Sequence, residues 1–400
     1  MNSYENLGKI FYKYHSIYKQ IYHDRFNSPT TKHFEFCIKQ FEHKKTFPTF
    51  LCYSEELILL MEKIYKNYEG FTKTIKDVPP IVLEQFSLWC VVDEIKSSNE
   101  IEGVYSTRRE LSEVLQGVSD SQRFSSIVAK YYALSCGEKF QFQTCRDVRN
   151  FYDSFIREEV SKIESNCNLD GQIFRKDSVD IKTGTGKTIH RGIYPEEKII
   201  SAMEIALKLL NDKGIPLLIR VAVSHYLFGY IHSFYDGNGR TARFIASYFL
   251  AEHFHYLPAL RLSVAIKLSP KKYYSLFRDT TAELNCGDLT PFVFGFLEMF
   301  SETFVEVQTL LKRKLVQLSK YREILKPLTP QDDLSQKIYE ILLQSSSFFG
   351  QGVSMEELIR LTGKSRNTIK DRLNCSTNSH IVVTGSKKKF YKLNFSILLS

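Results

Sequence analysis

The 400-residue sequence lacks the marks of a disulfide-rich, zinc-binding or membrane-spanning protein. Its eight cysteines are scattered and form no CxxC pair, so neither a disulfide framework nor a zinc site is indicated, and a reducing cytosol fits best. No apolar run is long enough to cross a bilayer, because the most apolar stretch, residues 215–234, contains Arg220, His225 and His232. We therefore predict a cytoplasmic protein with no membrane partner.

The N-terminus also lacks a basic segment followed by an apolar run, which is the mark of a cleavable secretory signal. Effectors delivered by dedicated secretion systems lack such a signal too, so export as an effector stays open. Tryptophan is nearly absent, but 30 phenylalanines and 23 tyrosines supply large side chains for a core, and 43% of the residues are hydrophobic. These values exclude a largely disordered chain, and the length predicts roughly two or three domains.

Positive charge exceeds negative charge by nine, with 54 basic against 45 acidic side chains. Residues 334–400 carry ten lysines and arginines against four acidic residues, so six of the nine excess charges lie there. Such an excess indicates an anionic partner, either a nucleotide or a nucleic acid. Most of the excess positive charge therefore indicates an anionic partner of the C-terminal segment. A nucleotide site elsewhere in the chain needs only a few local basic residues.

Helical periodicity dominates the chain, and strand patterns are sparse before the C-terminus. Two prolines and several polar residues interrupt this pattern at 325–334 and predict a linker. We predict a mainly α protein with an N-terminal helical region (1–125), a helical core (126–325) and a C-terminal module (334–400). The segments with helical periodicity are Glu55–Tyr68, Pro80–Glu100, Arg108–Gln116, Glu196–Asn211, Pro216–Ile231, Thr241–His253 and Pro291–Leu318.

One loop between two apolar helical segments has the composition of a phosphate site, with the sequence His-Ser-Phe-Tyr-Asp-Gly-Asn-Gly-Arg-Thr-Ala-Arg over residues 232–243. Gly237, Asn238 and Gly239 stand directly before a predicted helix. Glycines let backbone N–H groups converge on an anion, and the dipole of the helix favours the same charge. The loop therefore predicts an anion nest.

The charged residues of this loop complete the parts for phosphoryl or nucleotidyl transfer. Arg240 and Arg243 lie three residues apart, and two guanidinium groups can grip more than one phosphate. Asp236 is a hard oxygen ligand for Mg²⁺, and His232 can take a proton from an attacking hydroxyl at neutral pH. The alternative is a turn between core helices with a structural histidine and surface arginines, which fits the separate pieces but not the full set.

The same twelve residues resemble the signature of the Fic family, HxFx(D/E)GNGRxxR, at every defining position, with Ser233 where proline is usual. Fic proteins are all-helical enzymes, most of which transfer AMP from ATP to a hydroxyl group of a target. The resemblance implies His232 as the general base, Asp236 as the ligand of Mg²⁺ or Mn²⁺, the Gly-Asn-Gly loop as the phosphate nest, and both arginines as ligands of the leaving phosphates. A related kinase-type loop carries lysine and alanine, so Gly-Asn-Gly favours AMP transfer.

A second motif, Ser-Ser-Asn-Glu-Ile-Glu-Gly within the predicted helical segment 80–103, resembles the Fic inhibitory motif (S/T)xxxE(G/N). Ser98 and Glu102 share a helix face, and Gly103 is placed to end the helix. The resemblance implies that Glu102 pairs with Arg243, which would remove the grip on the γ-phosphate and repel the nucleotide. A capped amphipathic helix without a regulatory role is the alternative.

Two further segments resemble parts of a Fic active site. Residues 179–194 have two extended runs around a glycine-rich turn, like the flap that docks a target segment by strand addition. The docking edge would then consist of Thr188, Ile189 and His190. Tyr274 and Asn285 fall in a region that resembles the nucleoside pocket, although core aromatics and a helix-ending turn explain that region equally well.

The C-terminal module has three helical segments and then two strands around Gly-Ser-Lys-Lys-Lys, a pattern typical of a winged helix-turn-helix. Its third helix and hairpin tip carry side chains that can meet phosphates or base edges, namely Arg366, Asn367, Lys370 and Lys388. A protein-docking or dimerisation module has the same pattern, so DNA, a protein partner and a homodimer all stay open.

We therefore expect a protein adenylyltransferase that transfers AMP from Mg-ATP to Ser, Thr or Tyr hydroxyls of target proteins, the chain itself among them. Glu102 would restrain this activity and, as in some family members, could position a water that removes AMP. The alternative is a DNA-binding regulator whose Fic core senses nucleotide and has weak or no activity.

Overall fold

The computed structural model describes residues 4–119, 123–156, 170–182, 185–349, 352–375, 380–385 and 388–395. Helices make up most of these residues and small antiparallel sheets accompany them, which confirms the predicted mainly α fold class. Across the described ranges, no helix is both long and apolar enough to span a bilayer. Free thiols are present at Cys37, Cys52, Cys90, Cys136, Cys145 and Cys286.

The N-terminal part contains short helices, one hairpin and two long helices. In chain order these are α1 (Leu7–Lys13), α2 (Tyr18–Phe26), β1 (Thr31–Ile38), β2 (Phe47–Cys52), α3 (Glu55–Lys76), α4 (Pro80–Ile101) and α5 (Arg108–Leu115). The β1–β2 hairpin is an addition to the helical region that the sequence predicts here. In β1, the buried Phe34, Phe36 and Ile38 alternate with exposed residues, which is the period of a strand with one face on the core.

The central part surrounds the glycine-rich loop. Its elements are α6 (Ser125–Ser135), α7 (Cys145–Phe155), β3 (Asp180–Lys182), β4 (Thr188–Arg191), α8 (Glu196–Asn211), α9 (Leu217–Ile231), α10 (Asn238–His253), α11 (Tyr256–Ala259), α12 (Leu262–Leu268), α13 (Pro270–Thr281) and α14 (Thr290–Leu325). α9 is buried on nearly every side and packs against α8, α10 and α14, as its apolar sequence requires. The loop of residues 232–237 joins this helix to α10.

The C-terminal part forms a unit of three helices and a three-stranded sheet. Its elements are α15 (Asp333–Phe349), β5 (Val353–Ser354), α16 (Met355–Thr362), α17 (Arg366–Cys375), β6 (Ile381–Thr384) and β7 (Phe390–Leu393), with β7 between β5 and β6. Ser354 and Glu357 form a capping box at the start of α16, and Gly363 ends that helix with a positive φ of 69°. α15 packs on α4, so this unit rests against the helix that carries the second sequence motif.

One hydrophobic core passes through all three parts. It includes buried side chains from Phe34 in β1, through α9, to Leu393 in β7. α4 is buried over most of its length and packs against α6, α12 and α15. The helix that bears Glu102 is therefore part of the central packing, and the domain boundaries at 125 and 325 remain predictions.

Candidate active site

His232 follows the last residue of α9 and adopts a left-handed backbone conformation, with φ of 53°. Its backbone N–H donates to the Phe228 carbonyl at 3.0 Å, so the hydrogen bonds of the helix end at this residue. Burial, together with the nearby His190 and Arg175, lowers the pKa of the imidazole to about 4. The ring is therefore neutral at pH 7, the form that can accept a proton.

The loop after His232 is held by aromatic stacking and by an asparagine. Phe234 is buried and stacks on Tyr152, with ring centroids 3.7 Å apart and planes 10° apart. Asn238 Nδ2 donates to the Phe234 carbonyl at 2.7 Å, and its Oδ1 accepts the Phe234 N–H at 2.9 Å. The Tyr152 hydroxyl donates to the Asp236 carbonyl at 3.1 Å. These contacts preorganise the loop, and they give the Asn238 side chain a structural role within it.

The first turn of α10 is the predicted anion nest. Gly237 precedes it with φ of 78°, a conformation that glycine adopts without steric cost. A Cβ at this position would come within 3.1 Å of Ile156 and 3.2 Å of Tyr152. The first N–H groups of a helix have no partner within the helix and attract anions. The packing around Gly237 therefore fixes the direction in which these groups face.

The two arginines of the loop motif are both buried, with exposed fractions of 0% for Arg240 and 1% for Arg243. Arg240 Nη2 lies 3.4 Å from Asp236 Oδ2. Arg243 binds α4: its Nε donates to Ser98 Oγ at 3.1 Å, its Nη2 to the Ser98 carbonyl at 2.9 Å, and its Nη1 to Glu102 Oε1 at 2.7 Å. Burial disfavours the charge of Arg243, but the Glu102 carboxylate holds its pKa above the usual value. The alternative interpretation requires Arg240 and Arg243 to lie on the surface, and their burial contradicts it.

Glu102 is the C-cap of α4, and the turn after it fixes its position. Gly103 has φ of 73°, and the N–H of Val104 donates to the Asn99 carbonyl at 2.9 Å, the long bond of a Schellman motif. The Glu102 carboxylate lies against Gly239, where an added Cβ would be only 2.0 Å from Oε1. Glu102 therefore occupies the space directly beside the first turn of α10.

Asp236 is the acidic side chain of the loop. It is 46% exposed, and its Oδ1 accepts the Gly237 N–H at 2.5 Å. Within the described part of the chain, no group of three or more His, Cys, Asp or Glu side chains could hold a metal ion. A single carboxylate beside an anion nest suits a magnesium ion that takes its other ligands from phosphate oxygens and water.

The two residues predicted for a nucleoside pocket lie in different surroundings. Tyr274 is half exposed, and its hydroxyl donates to the Ile101 carbonyl at 3.0 Å, at the end of α4. Asn285 is fully buried, and its Nδ2 donates to the carbonyls of Thr280 and Asp288 at 3.0 and 2.7 Å. The prediction for Asn285 is therefore corrected, because its side chain ties the turn before α14 and has no surface that a nucleotide can reach.

β3 and β4 pair as the predicted antiparallel hairpin, and residues 183–184 of its turn lie outside the described residues. Thr188 begins β4, and Ile189 is 42% exposed. The His190 ring packs on Tyr230, with Nε2 2.7 Å from the Tyr230 carbonyl, and burial lowers its pKa. The His190 side chain therefore lies beneath the hairpin. Docking by strand addition uses the main chain, so residues 188–190 stay a prediction for the docking edge.

The four C-terminal residues predicted to meet DNA are exposed. Arg366, Asn367 and Lys370 lie on α17, where Arg366 Nη2 is 3.4 Å from Glu356 Oε1. Lys388 stands two residues before β7, and its Nζ is 5.8 Å from the centre of the Phe390 ring. α17 is therefore open to a polar partner.

Two buried charges outside every sequence motif support the site. Glu196, at the start of α8, accepts the N–H groups of residues 172–174 at 2.6–2.9 Å; burial opposes its charge, but these bonds hold its pKa below the usual value. Arg175 directly follows residue 174. It has no exposed surface, and it donates to the His232 carbonyl. A single arginine and a single glutamate have no spacing pattern, so no sequence signal distinguishes them from surface charges.

Comparison with known proteins finds a family match around the loop and a similar helical fold. Residues 144–250 match the model of the Fic/DOC family, a segment that includes the loop and both arginines. The fold is similar to that of a Fic family protein from Desulfovibrio desulfuricans G20, at 19% identity and a TM-score of 0.52 over 85% of this chain and 96% of that one. A Fic domain containing signaling protein from Bacteroides thetaiotaomicron VPI-5482 matches at 18% identity and a TM-score of 0.42 over 63% of this chain and 97% of that one. The chain therefore has a Fic/DOC segment at its centre and a Fic-type helical fold.

Proposed function

We propose that this chain is a protein adenylyltransferase that moves AMP from ATP to a protein hydroxyl group, and that Glu102 holds it inactive. Members of the Fic/DOC family commonly transfer AMP or other nucleotide groups onto proteins, which supports the class of reaction. The position of the Glu102 carboxylate is the observation that carries the proposal. It is bonded to Arg243 and lies against Gly239, where a phosphate group would otherwise meet the helix N-terminus and the guanidinium.

The residues around the loop divide the work of this transfer. The acceptor oxygen attacks the α-phosphorus, and the new O–P bond forms as the bond to the oxygen that bridges to the β-phosphate breaks, so that pyrophosphate leaves. The neutral His232 takes the proton of the attacking hydroxyl. The first turn of α10 and Arg240 stabilise the negative charge that develops on the phosphate oxygens. Arg243 adds to this stabilisation once Glu102 has moved away.

Asp236 would hold the magnesium ion of Mg-ATP, which would neutralise phosphate charge when bound. Its side chain is half exposed and can reach a ligand without a change in the loop. The N–H of Gly237 orients Oδ1, and Oδ2 lies 3.4 Å from Arg240 Nη2. A magnesium ion held by Asp236 would therefore lie close to the Arg240 guanidinium.

Inhibition by Glu102 would act through charge and through space. The carboxylate neutralises Arg243 and also repels the phosphates of an incoming nucleotide. Ser98 holds the Arg243 guanidinium through two further hydrogen bonds, at 3.1 and 2.9 Å. Removal of Glu102 should therefore leave Arg243 in place and free to bind phosphate.

Transfer of label from ATP labelled at the α-phosphate tests the proposal. We expect Glu102→Ala to raise incorporation into the chain or into lysate proteins by about tenfold or more, since a gain of about 1.4 kcal/mol gives that factor. His232→Ala in the same background should abolish it. Glu100→Ala is the matched control. Glu100 lies at the same end of α4 as Glu102, but it pairs with Lys96 and Lys267 and not with Arg243. Equal incorporation in Glu102→Ala and the parent, or label that survives His232→Ala, would contradict the proposal.

For the C-terminal unit we propose a second role, the binding of nucleic acid through a winged helix. Its helix, strand, helix, helix, strand, strand order and the exposed polar side chains of α17 support this role. The charge excess of residues 334–400 supports it as well. A regulator that senses nucleotide without transferring it would keep this role and show no label transfer in the Glu102→Ala protein.

A further inference from the structure

Arg175 is a fully buried cation whose hydrogen bonds, in the described residues, go to backbone carbonyl groups. Its Nε and Nη2 both donate to the His232 carbonyl, at 2.9 and 2.7 Å. Nη2 also donates to the Ile193 carbonyl at 2.9 Å, and Nη1 donates to the Asp177 carbonyl. Burial lowers its pKa to about 10, so it remains charged at neutral pH. A buried charge without a bonded carboxylate is costly, and such a group needs a specific reason to be retained.

The main target of Arg175 is the carbonyl end of α9. The last carbonyls of a helix lack partners and carry partial negative charge, which a cation stabilises. His232 adopts φ of 53° there, a left-handed conformation that is strained for a residue with a side chain. Two N–H bonds from one guanidinium fix the direction of the His232 carbonyl. They therefore hold the backbone of His232 in the strained conformation that sets the position of its imidazole.

The same guanidinium also joins the base of the β3–β4 hairpin to this end of α9. The Ile193 N–H donates to the Ile231 carbonyl at 3.0 Å, while the Ile193 carbonyl accepts from Arg175. Gly192 lies against both Arg175 and His232. An added Cβ at Gly192 would be 2.3 Å from Arg175 Nη2 and 3.0 Å from the His232 Cβ. Glycine at 192 is therefore what lets the hairpin, the arginine and the histidine approach so closely.

We infer that Arg175 is the positioning residue for His232, and that Gly192 provides the space in which it acts. This inference rests on the proposed adenylyl transfer for its effect on rate. Its effect on the His232 ring does not depend on that activity, because the charge of Arg175 acts on the imidazole whatever the reaction is. The two consequences can therefore be measured separately in the full-length chain.

Kinetics in the Glu102→Ala background provide the first test. We expect Arg175→Ala to lower kcat by about 100-fold, the cost of a small misplacement of a reacting group, and to change the KM for ATP by less than about twofold. Added guanidinium ion should restore part of kcat. Arg149→Ala is the matched control, since Arg149 also donates to a backbone carbonyl, that of Ile173, but does not contact His232. Unchanged kcat in Arg175→Ala, or an equal loss in Arg149→Ala, would overturn the inference.

NMR titration of the His232 ring is the second test and needs no activity. Loss of the Arg175 charge should raise the pKa of His232 toward 6.5, because that charge lowers it in the parent. If Arg175→Ala does not fold, Gly192→Ala replaces it, since the added methyl group displaces the guanidinium and should also lower kcat. A His232 titration that neither variant shifts would reject the inference. A parent that transfers no label, with the titration shifted, would reject the proposed function alone.

Discussion

The chemistry of single residues at this site depends on how far each charge is removed from water. His232 stands at the start of the loop, and Arg243 lies on α10 after it. Burial disfavours the charge of both side chains, but only Arg243 has a bonded carboxylate that restores its charge. The site therefore combines a neutral imidazole with a charged guanidinium. Both forms are the ones that nucleotidyl transfer at neutral pH would require.

The protonation of His232 is the prediction that belongs to this scale. We expect its ring to titrate near pH 4 in the folded chain, against the usual value of 6.5, because burial and the nearby His190 and Arg175 oppose the imidazolium. The unfolded chain then binds the proton more tightly, so the contribution of His232 to folding stability is lost as the pH falls from 6.5 through 4. Proton NMR of the histidine rings, assigned with His232→Ala, measures the midpoint. A midpoint near 6.5 would contradict the burial argument.

Residues within one local motif were the easiest to predict from the sequence. The loop residues from His232 to Arg243 meet because a turn and a helix start bring them together over twelve positions. Glu102 is 141 residues from Arg243, so only the resemblance to a family motif pointed to their pairing. Arg175 is 57 residues from His232 and its partners are carbonyl groups, which have no side-chain identity that a sequence pattern could display.

At the scale of the element, the end of α4 determines where Glu102 stands. The Gly103 N–H donates to the Glu100 carbonyl at 3.1 Å, and the Val104 N–H donates to the Asn99 carbonyl at 2.9 Å. The two bonds end the helix at Ile101, so that Glu102 is its C-cap and the following glycine adopts the left-handed conformation. A residue with a side chain at 103 would strain this turn and weaken the hold on the carboxylate.

Gly103→Ala tests this hold. We expect it to cost about 1 kcal/mol of folding stability and to raise label transfer by up to about fivefold, as the end of α4 opens. Gly137→Ala is the matched control, because Gly137 ends α6 in the same motif with φ of 79°, and an added Cβ meets nothing within 4 Å at either position. Both variants should lose similar stability in urea titrations. Equal label transfer by the two variants would show that the turn at Gly103 does not contribute to the inhibition by Glu102.

Helices with long periodic patterns were predicted well, and short strands were not. α8 covers Glu196–Asn211 as the periodicity indicated, and α4 ends one residue beyond the predicted Glu100. The β1 strand was missed although its burial alternates, because eight residues of mixed polarity carry too weak a pattern before a partner strand is known. The pairing of β1 with β2 forms only in the folded chain, and no pattern within the β1 sequence indicates it.

The whole molecule places the C-terminal unit against the helix that carries Glu102. α15 packs on α4, and Arg360 of α16 lies 3.4 Å from Glu84 near the start of α4. A cleft of about 510 Å³ is lined by residues of both units, among them Leu88 of α4 and Phe390 of β7. The exposed face of α17 does not take part in the Arg360 contact, so it remains accessible in the packed molecule.

Binding of duplex DNA as a function of salt tests the role proposed for this unit. We expect affinity to fall as salt rises, with a logarithmic slope of about −0.9 for each phosphate contact, and the triple variant Arg366→Gln, Lys370→Gln, Lys388→Gln to reduce that slope by roughly two to three. The matched control removes three positive charges from exposed side chains of α3, at Lys63, Lys66 and Lys73. If the control weakens binding as much as the triple variant, the net charge and not α17 holds the DNA. If the parent does not bind even at low salt, the DNA-binding role is wrong and the protein-docking alternative is left.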